Sequence, residues 1–185
     1  MPVFIYDQAD AFFAGLDFSW KEDWSKQFSG VFRASYLWSK NVSKNQPLIN
    51  QPPLTTNYSL VWNQKKFWKF TSSKLSVIPS YTFKQYNAPR TVSPQDLIDG
   101  TEIITSESEI FDFKDAPNGY FLLDIAWALS WKNLSGSIGI KNILNTRYRM
   151  YLNEMRYFSG GLGRNVSFTL NYLFKSKKNE KNDHD

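Results

Sequence analysis

An unbroken alternation near the end of the chain limits the possible folds more than any other feature. Val166, Phe168, Leu170, Tyr172 and Phe174 take turns with Asn165, Ser167, Thr169 and Asn171. A period of two sends one set to each face of an extended strand, whereas a helix would mix them. The pattern recurs upstream. Phe12, Ala14, Leu16, Phe18 and Trp20 oppose Asp17 and Ser19, and Phe28, Phe32, Ala34, Tyr36 and Trp38 oppose Arg33 and Ser35. Strands are predicted over residues 9–20, 26–38, 54–62, 73–85, 120–131, 134–143 and 166–174. The expected fold is all-β, an antiparallel meander of about seven long strands. A further short piece is expected over 101–104. Pro79 lies inside the fourth strand and cannot donate to a ladder, so a bulge or weak pairing is expected there.

The connections alternate in length. Brief turns are expected near Lys21, Gln64 and Lys132; long loops follow Asn41, Tyr86 and Asn145. The segment 86–118 is the longest, with an acidic second half at Asp96, Asp99, Glu102, Glu107, Glu109, Asp112 and Asp115. Short turns at one end and long loops at the other are the habit of outer-membrane barrels. The strands also exceed the length usual in soluble sheets and match a tilted membrane crossing. Charges within them, at Asp17, Arg33, Lys74, Lys84, Asp124 and Lys141, fall opposite the large apolar side chains. Five tryptophans, Trp20, Trp24, Trp62, Trp68 and Trp131, gather at the short-turn ends and Trp38 at a long-loop end, as interfacial girdles require. If Lys132 and Asn133 form a hairpin tip, Asp124 faces Lys141 as a cross-strand pair.

Composition agrees with this reading. Mean hydropathy is −0.46, and no apolar run approaches the roughly 18–20 residues of a spanning helix. Barrel strands hide their apolar surface in alternation, so a low mean does not exclude them. A net charge of +5 without a basic stripe gives no nucleic-acid footprint. No cysteine is present, which removes disulfides, thiolate zinc sites and cysteine nucleophiles. The first residues, Met1 to Asp7, lack the basic and apolar regions of a signal peptide.

Several motifs then fall in a familiar order. They are Gln8-Ala9-Asp10-Ala11 leading to Gly15-Leu16-Asp17, Asn45-Gln46-Pro47-Leu48-Ile49 leading to Pro52-Pro53, and Ala116-Pro117-Asn118-Gly119-Tyr120. Lys141-Asn142-Ile143-Leu144-Asn145-Thr146-Arg147-Tyr148, Tyr157-Phe158, Gly163-Arg164-Asn165 and a last strand ending Tyr-Leu-Phe complete the set. In this order they resemble the C-terminal part of TonB-dependent outer-membrane receptors. The resemblance implies the last strands, residues 1–174, of a 22-stranded transmembrane β-barrel with an N-terminal plug. It departs from the family where the chain runs past Phe174; residues 175–185 are expected to be a disordered charged tail.

Catalytic chemistry is poorly served. The one histidine, His184, lies in the charged tail and completes no triad. No His/Cys cluster suits a metal. Gly160-Gly161-Leu162-Gly163 lacks the Lys-Ser/Thr of a phosphate loop and reads as a turn. No enzyme activity, cofactor or metal is expected. The best binding candidates are Arg147, Tyr148, Arg149, Tyr151, Arg156 and Tyr157 in the last long loop. Arginine forks and tyrosine faces suit an anionic chelate or a sugar; equally, they can pack the loop against its neighbours or lipid headgroups. Asn142, Asn145, Tyr148, Gly163, Arg164 and Asn165 read more as scaffold for the last hairpin. The resemblance implies a receptor that imports a scarce nutrient, such as a ferric siderophore, cobalamin, haem or oligosaccharide. Its implied partners are the TonB complex through the plug region, the barrel-assembly machinery through the strand ending at Phe174, and outer-membrane lipid. The alternative is a soluble β-rich carbohydrate-binding module; an acyl-chain-modifying barrel enzyme is disfavoured by the lack of histidine.

Overall fold

The computed structural model describes residues 9–103 and 111–174. Met1 to Gln8, Glu107, Glu109 and the tail after Phe174 lie outside these. Strands β1 (Ala11–Asp23), β2 (Phe28–Asn41), β3 (Thr55–Phe67), β4 (Phe70–Thr82), β7 (Tyr120–Trp131), β8 (Leu134–Lys141) and β9 (Asn165–Tyr172) form one sheet. Each is antiparallel to the next, in chain order, and β1 and β9 are its two open edges. Between β4 and β7 lie β5 (Arg90–Thr91), a short helix α1 (Pro94–Ile98) and β6 (Phe111–Asp112), with β5 and β6 paired in parallel.

The registers decide the faces. Phe18 pairs with Ala34, Phe32 with Tyr58, Trp62 with Leu75, Val77 with Ile125, Trp127 with Ile138 and Ile138 with Phe168. Directly paired residues share a face, so one apolar face runs unbroken across all seven strands. The same registers put Asp17, Arg33, Asn57, Lys74, Asp124 and Lys141 on the other. Rings interlock along the apolar face: Phe12 on Trp38 at 5.9 Å, Phe18 on Phe32 at 6.1 Å, and Phe28 on Trp62 at 6.5 Å. Yet among the described residues nothing covers that face. Leu16 is 69% exposed, Phe168 72% and Leu170 60%.

Several boundaries move. Lys21, Glu22 and Asp23, expected to turn, remain in β1; the turn comes at Trp24–Gln27, where the Ser25 hydroxyl accepts the amides of Gln27 and Phe28. β3 runs on to Phe67, and the turn shrinks to Trp68 and Lys69, since Phe67 already pairs with Phe70. Lys66 takes a left-handed φ of 58°. Phe67 consequently meets Trp62 at 5.7 Å and Trp127 at 6.4 Å, on the apolar side. Pro79 causes a gap without a slip. Pairing of β3 with β4 lapses between Asn57–Ser80 and Leu60–Val77 and resumes in the same register, because proline has no amide to donate.

The β7–β8 hairpin has the expected register, from Trp131–Leu134 to Ile125–Ile140. Beyond it one extra residue enters on the β8 side, since the Ile143 amide bonds the Leu123 carbonyl at 2.9 Å. Asn142 absorbs this bulge with φ 49°, a conformation asparagine tolerates better than most residues. The Asp124 carboxylate therefore accepts the Asn142 amide at 2.8 Å. The expected ion pair with Lys141 is replaced by this contact.

All three long connections, residues 42–54, 83–119 and 142–164, leave the same end of the sheet. Burial concentrates there. Val92, Gln85, Asn41, Asn142, Tyr151 and Arg156 are buried while the sheet faces are largely not. Gln85 donates to the carbonyls of Gln51 and Pro52, and Asn87 to that of Ser39, tying two loops to β2.

Candidate functional site

The last long loop is built on Asn142. Its amide nitrogen donates to the carbonyls of Thr146 and Leu162, and its side-chain oxygen accepts the Thr146 amide at 2.8 Å. Asn145 accepts the Arg164 amide, and the Arg164 guanidinium reaches back to the Ile143 carbonyl. These bonds close residues 142–164 into a ring at the base of the loop.

Tyr148 stands on this base. Its ring lies against Tyr120 of β7, with centroids 4.5 Å apart and planes at 33°. Gly161 lies close against the same ring: the Gly161 amide bonds the Tyr148 carbonyl at 2.7 Å, and a Cβ there would fall 2.4 Å from the ring. Burial pushes the Tyr148 hydroxyl above its ordinary range, with Tyr120 and Asp124 adding to the shift. Around the stacked pair is an open cavity of about 640 Å³, lined by Asn118, Tyr120, Asn145, Arg147, Tyr148, Arg149 and the glycines of the loop. No carboxylate lines it. Its size is ordinary for a small-molecule site.

The six candidate residues divide. Arg147, Tyr148 and Arg149 line this cavity, with Arg147 exposed and the other two half-buried. Tyr151, Arg156 and Tyr157 form a separate, buried knot. The Arg156 guanidinium lies between the Tyr151 and Tyr157 rings, 4.9 and 4.7 Å from their centroids. It donates to the Tyr151 carbonyl at 2.7 Å and to the Asp112 carboxylate, which also accepts the Tyr157 hydroxyl. Burial raises the hydroxyls of Tyr151 and Tyr157, and the Asp112 charge raises them further. The knot's donors face inward, and it joins β6 to the 3₁₀ turn Glu154–Tyr157.

Asp112 could not be paired with Arg156 by inspection, because 44 residues separate them. Tyr120, Asn118 and Asn145 belong to motifs already noted, but only the fold sets them around one cavity. The helix α1 is not among the elements expected from alternation, although Ser93-Pro94-Gln95-Asp96 carries its signal. Ser93 caps the Asp96 amide while the Asp96 carboxylate accepts the Ser93 amide. Those hydrogen bonds, Ser93's hydroxyl first, hold the Asp96 carboxyl below its usual range. The short strand expected over 101–104 is not formed by Thr101–Ile103; the pieces of strand are Arg90–Thr91 and Phe111–Asp112.

No family model and no curated protein matches this sequence. A solved structure does: a copper transporter, OprC, with a TM-score of 0.68 and 18% identity, over 90% of this chain and 24% of that one. The chain has the fold of a stretch of that transporter. It spans about a quarter of the transporter's length, and the likeness is one of fold. Among the described residues no group of three or more His, Cys, Asp or Glu is placed to hold a metal, and no helix is long and apolar enough to cross a membrane.

Proposed function

We propose that this chain is part of an outer-membrane active-transport receptor. The apolar face lies toward lipid, the short turns toward the periplasm and the three long connections outside. One observation carries the reading. Six consecutive registers place the large apolar side chains of seven strands on a single uncovered face, and every long connection leaves the same end. A soluble sandwich covers such a face with a second layer. A barrel wall leaves it to the acyl chains. The fold shared with a transporter supports the same reading.

In this reading the chain helps bind and import a scarce nutrient with TonB-supplied energy. Recognition falls to the cavity around Arg147, Tyr148 and Arg149, where two guanidinium groups and two stacked rings suit an anionic or sugar-like solute. The partners that follow are the TonB complex, through a plug, and the barrel-assembly machinery, through β9. The test is topological. A tag inserted after Gly100, which has open space around it, should be labelled from outside intact cells. A tag at Lys132-Asn133 should be labelled only after the outer membrane is opened. The reverse result, or recovery of the tagged protein in the soluble fraction, overturns the proposal.

A further inference from the structure

The apolar face is not uniform. Near the short-turn end it holds a groove of about 230 Å³ walled by Phe70, Trp127, Leu129, Trp131 and Leu170, with Gly136 among the residues that line it. The groove runs beneath the β7–β8 tip, from β9 across β8 and β7 to Phe70 beside the neighbouring β3–β4 tip, since β4 pairs with β7. Each tip carries the same dipeptide, Trp68-Lys69 and Trp131-Lys132. Each ammonium is held against its own tryptophan: Lys132 Nζ lies 5.3 Å from the Trp131 centroid and Lys69 Nζ 5.1 Å from that of Trp68. Trp131 is itself a groove wall. Trp68 packs on Phe70, another wall, at 6.2 Å. An apolar slot thus opens at one end of the sheet with a cation on each of the two hairpin tips beside it, one or two rings from its walls.

We infer that this groove binds one glycerophospholipid, with an acyl chain in the slot and the phosphate between Lys69 and Lys132. The inference rests on the membrane reading above. The charge asymmetry argues for this occupant: the lining has no charged residue, while the only charges at the tips are ammonium groups, which bond phosphate oxygens strongly. A plain hydrocarbon would satisfy the walls but not the lysines.

The test reconstitutes the complete receptor that carries this chain in vesicles containing dioleoylphosphatidylglycerol and dioleoylglycerol in equal amounts. The extracted protein is then read by native mass spectrometry for retained lipid. The phospholipid should be retained in preference. Lys69→Gln and Lys132→Gln should each reduce that preference about fivefold. Gly136→Leu should reduce retention of both lipids; a Cβ at 136 meets only ordinary contacts, the nearest at 3.4 Å, so the strand should still form. Lys74→Gln, on the polar face, should change nothing. Equal retention of the two lipids, or groove variants that behave like the parent, would overturn the site while leaving the membrane reading intact. A receptor that carries this chain and is not recovered in membranes would overturn both.

Discussion

Arg156 and Asp112 pair across two different long connections, in a part of the molecule where both are almost wholly removed from water. The side chains are 4% and 10% exposed. Removing one member of a buried ion pair leaves the other uncompensated, at about 3–5 kcal/mol. Asp112→Asn and Arg156→Ala should each loosen residues 83–119 and 142–164 together. Limited proteolysis of the folded protein should show new cuts in both loops at once. Cutting confined to one loop would mean the pair does not join them.

Asn142 should tolerate glycine better than alanine. Its left-handed φ costs a residue with a Cβ about 1–2 kcal/mol, and both substitutions also lose the bonds to Thr146 and Leu162, at about 1 kcal/mol each. Urea unfolding should therefore rank Asn142→Gly between the parent and Asn142→Ala. If the two variants are equally stable, the bulge does not constrain this residue.

Gly161→Ala should displace the Tyr148 ring, because the added carbon would sit 2.4 Å from it. Residues in contact are non-additive. In a Tyr148→Ala background the same change should lose most of its cost, and a double-mutant cycle of unfolding free energies measures the difference. Additive costs would place the glycine's role elsewhere.

The loops should weaken in strong alkali. Tyr148, Tyr151 and Tyr157 all have hydroxyls raised above the ordinary value of 10.0, burial first among the causes. A raised folded value means that their contribution is complete below pH 10 and lost as the pH climbs through the folded values. Tyrosinate absorbance should hold a component that titrates above pH 10 and shrinks in Tyr148→Phe, Tyr151→Phe and Tyr157→Phe, and amide exchange in residues 142–164 should accelerate over the same window. At the acid end the sign is opposite. The Asp96 carboxyl is lowered from 3.8, so the cap on α1 is present above that value and lost as pH falls through the folded one. A high-pH component left unchanged by all three phenylalanine variants would contradict the alkaline prediction.

Alternation made seven strands readable, and β7 was placed to the residue. It could do so because side-chain direction in a strand depends only on parity, a property of the local chain. Strand ends were less legible where polar residues continue the extended backbone, as at Lys21–Asp23 and Asn63–Lys66; pairing with a neighbour carries them on, and no local signal opposes it. The knot of Asp112, Arg156, Tyr151 and Tyr157, and the division of six loop candidates into a cavity set and a buried set, required tertiary structure. Loop residues have no period, and their partners are chosen by which connections meet at one end of the sheet. The sheet's exposed apolar face likewise emerges only when all six registers are known, since a single-residue slip in any of them would turn that strand's apolar side chains to the polar face.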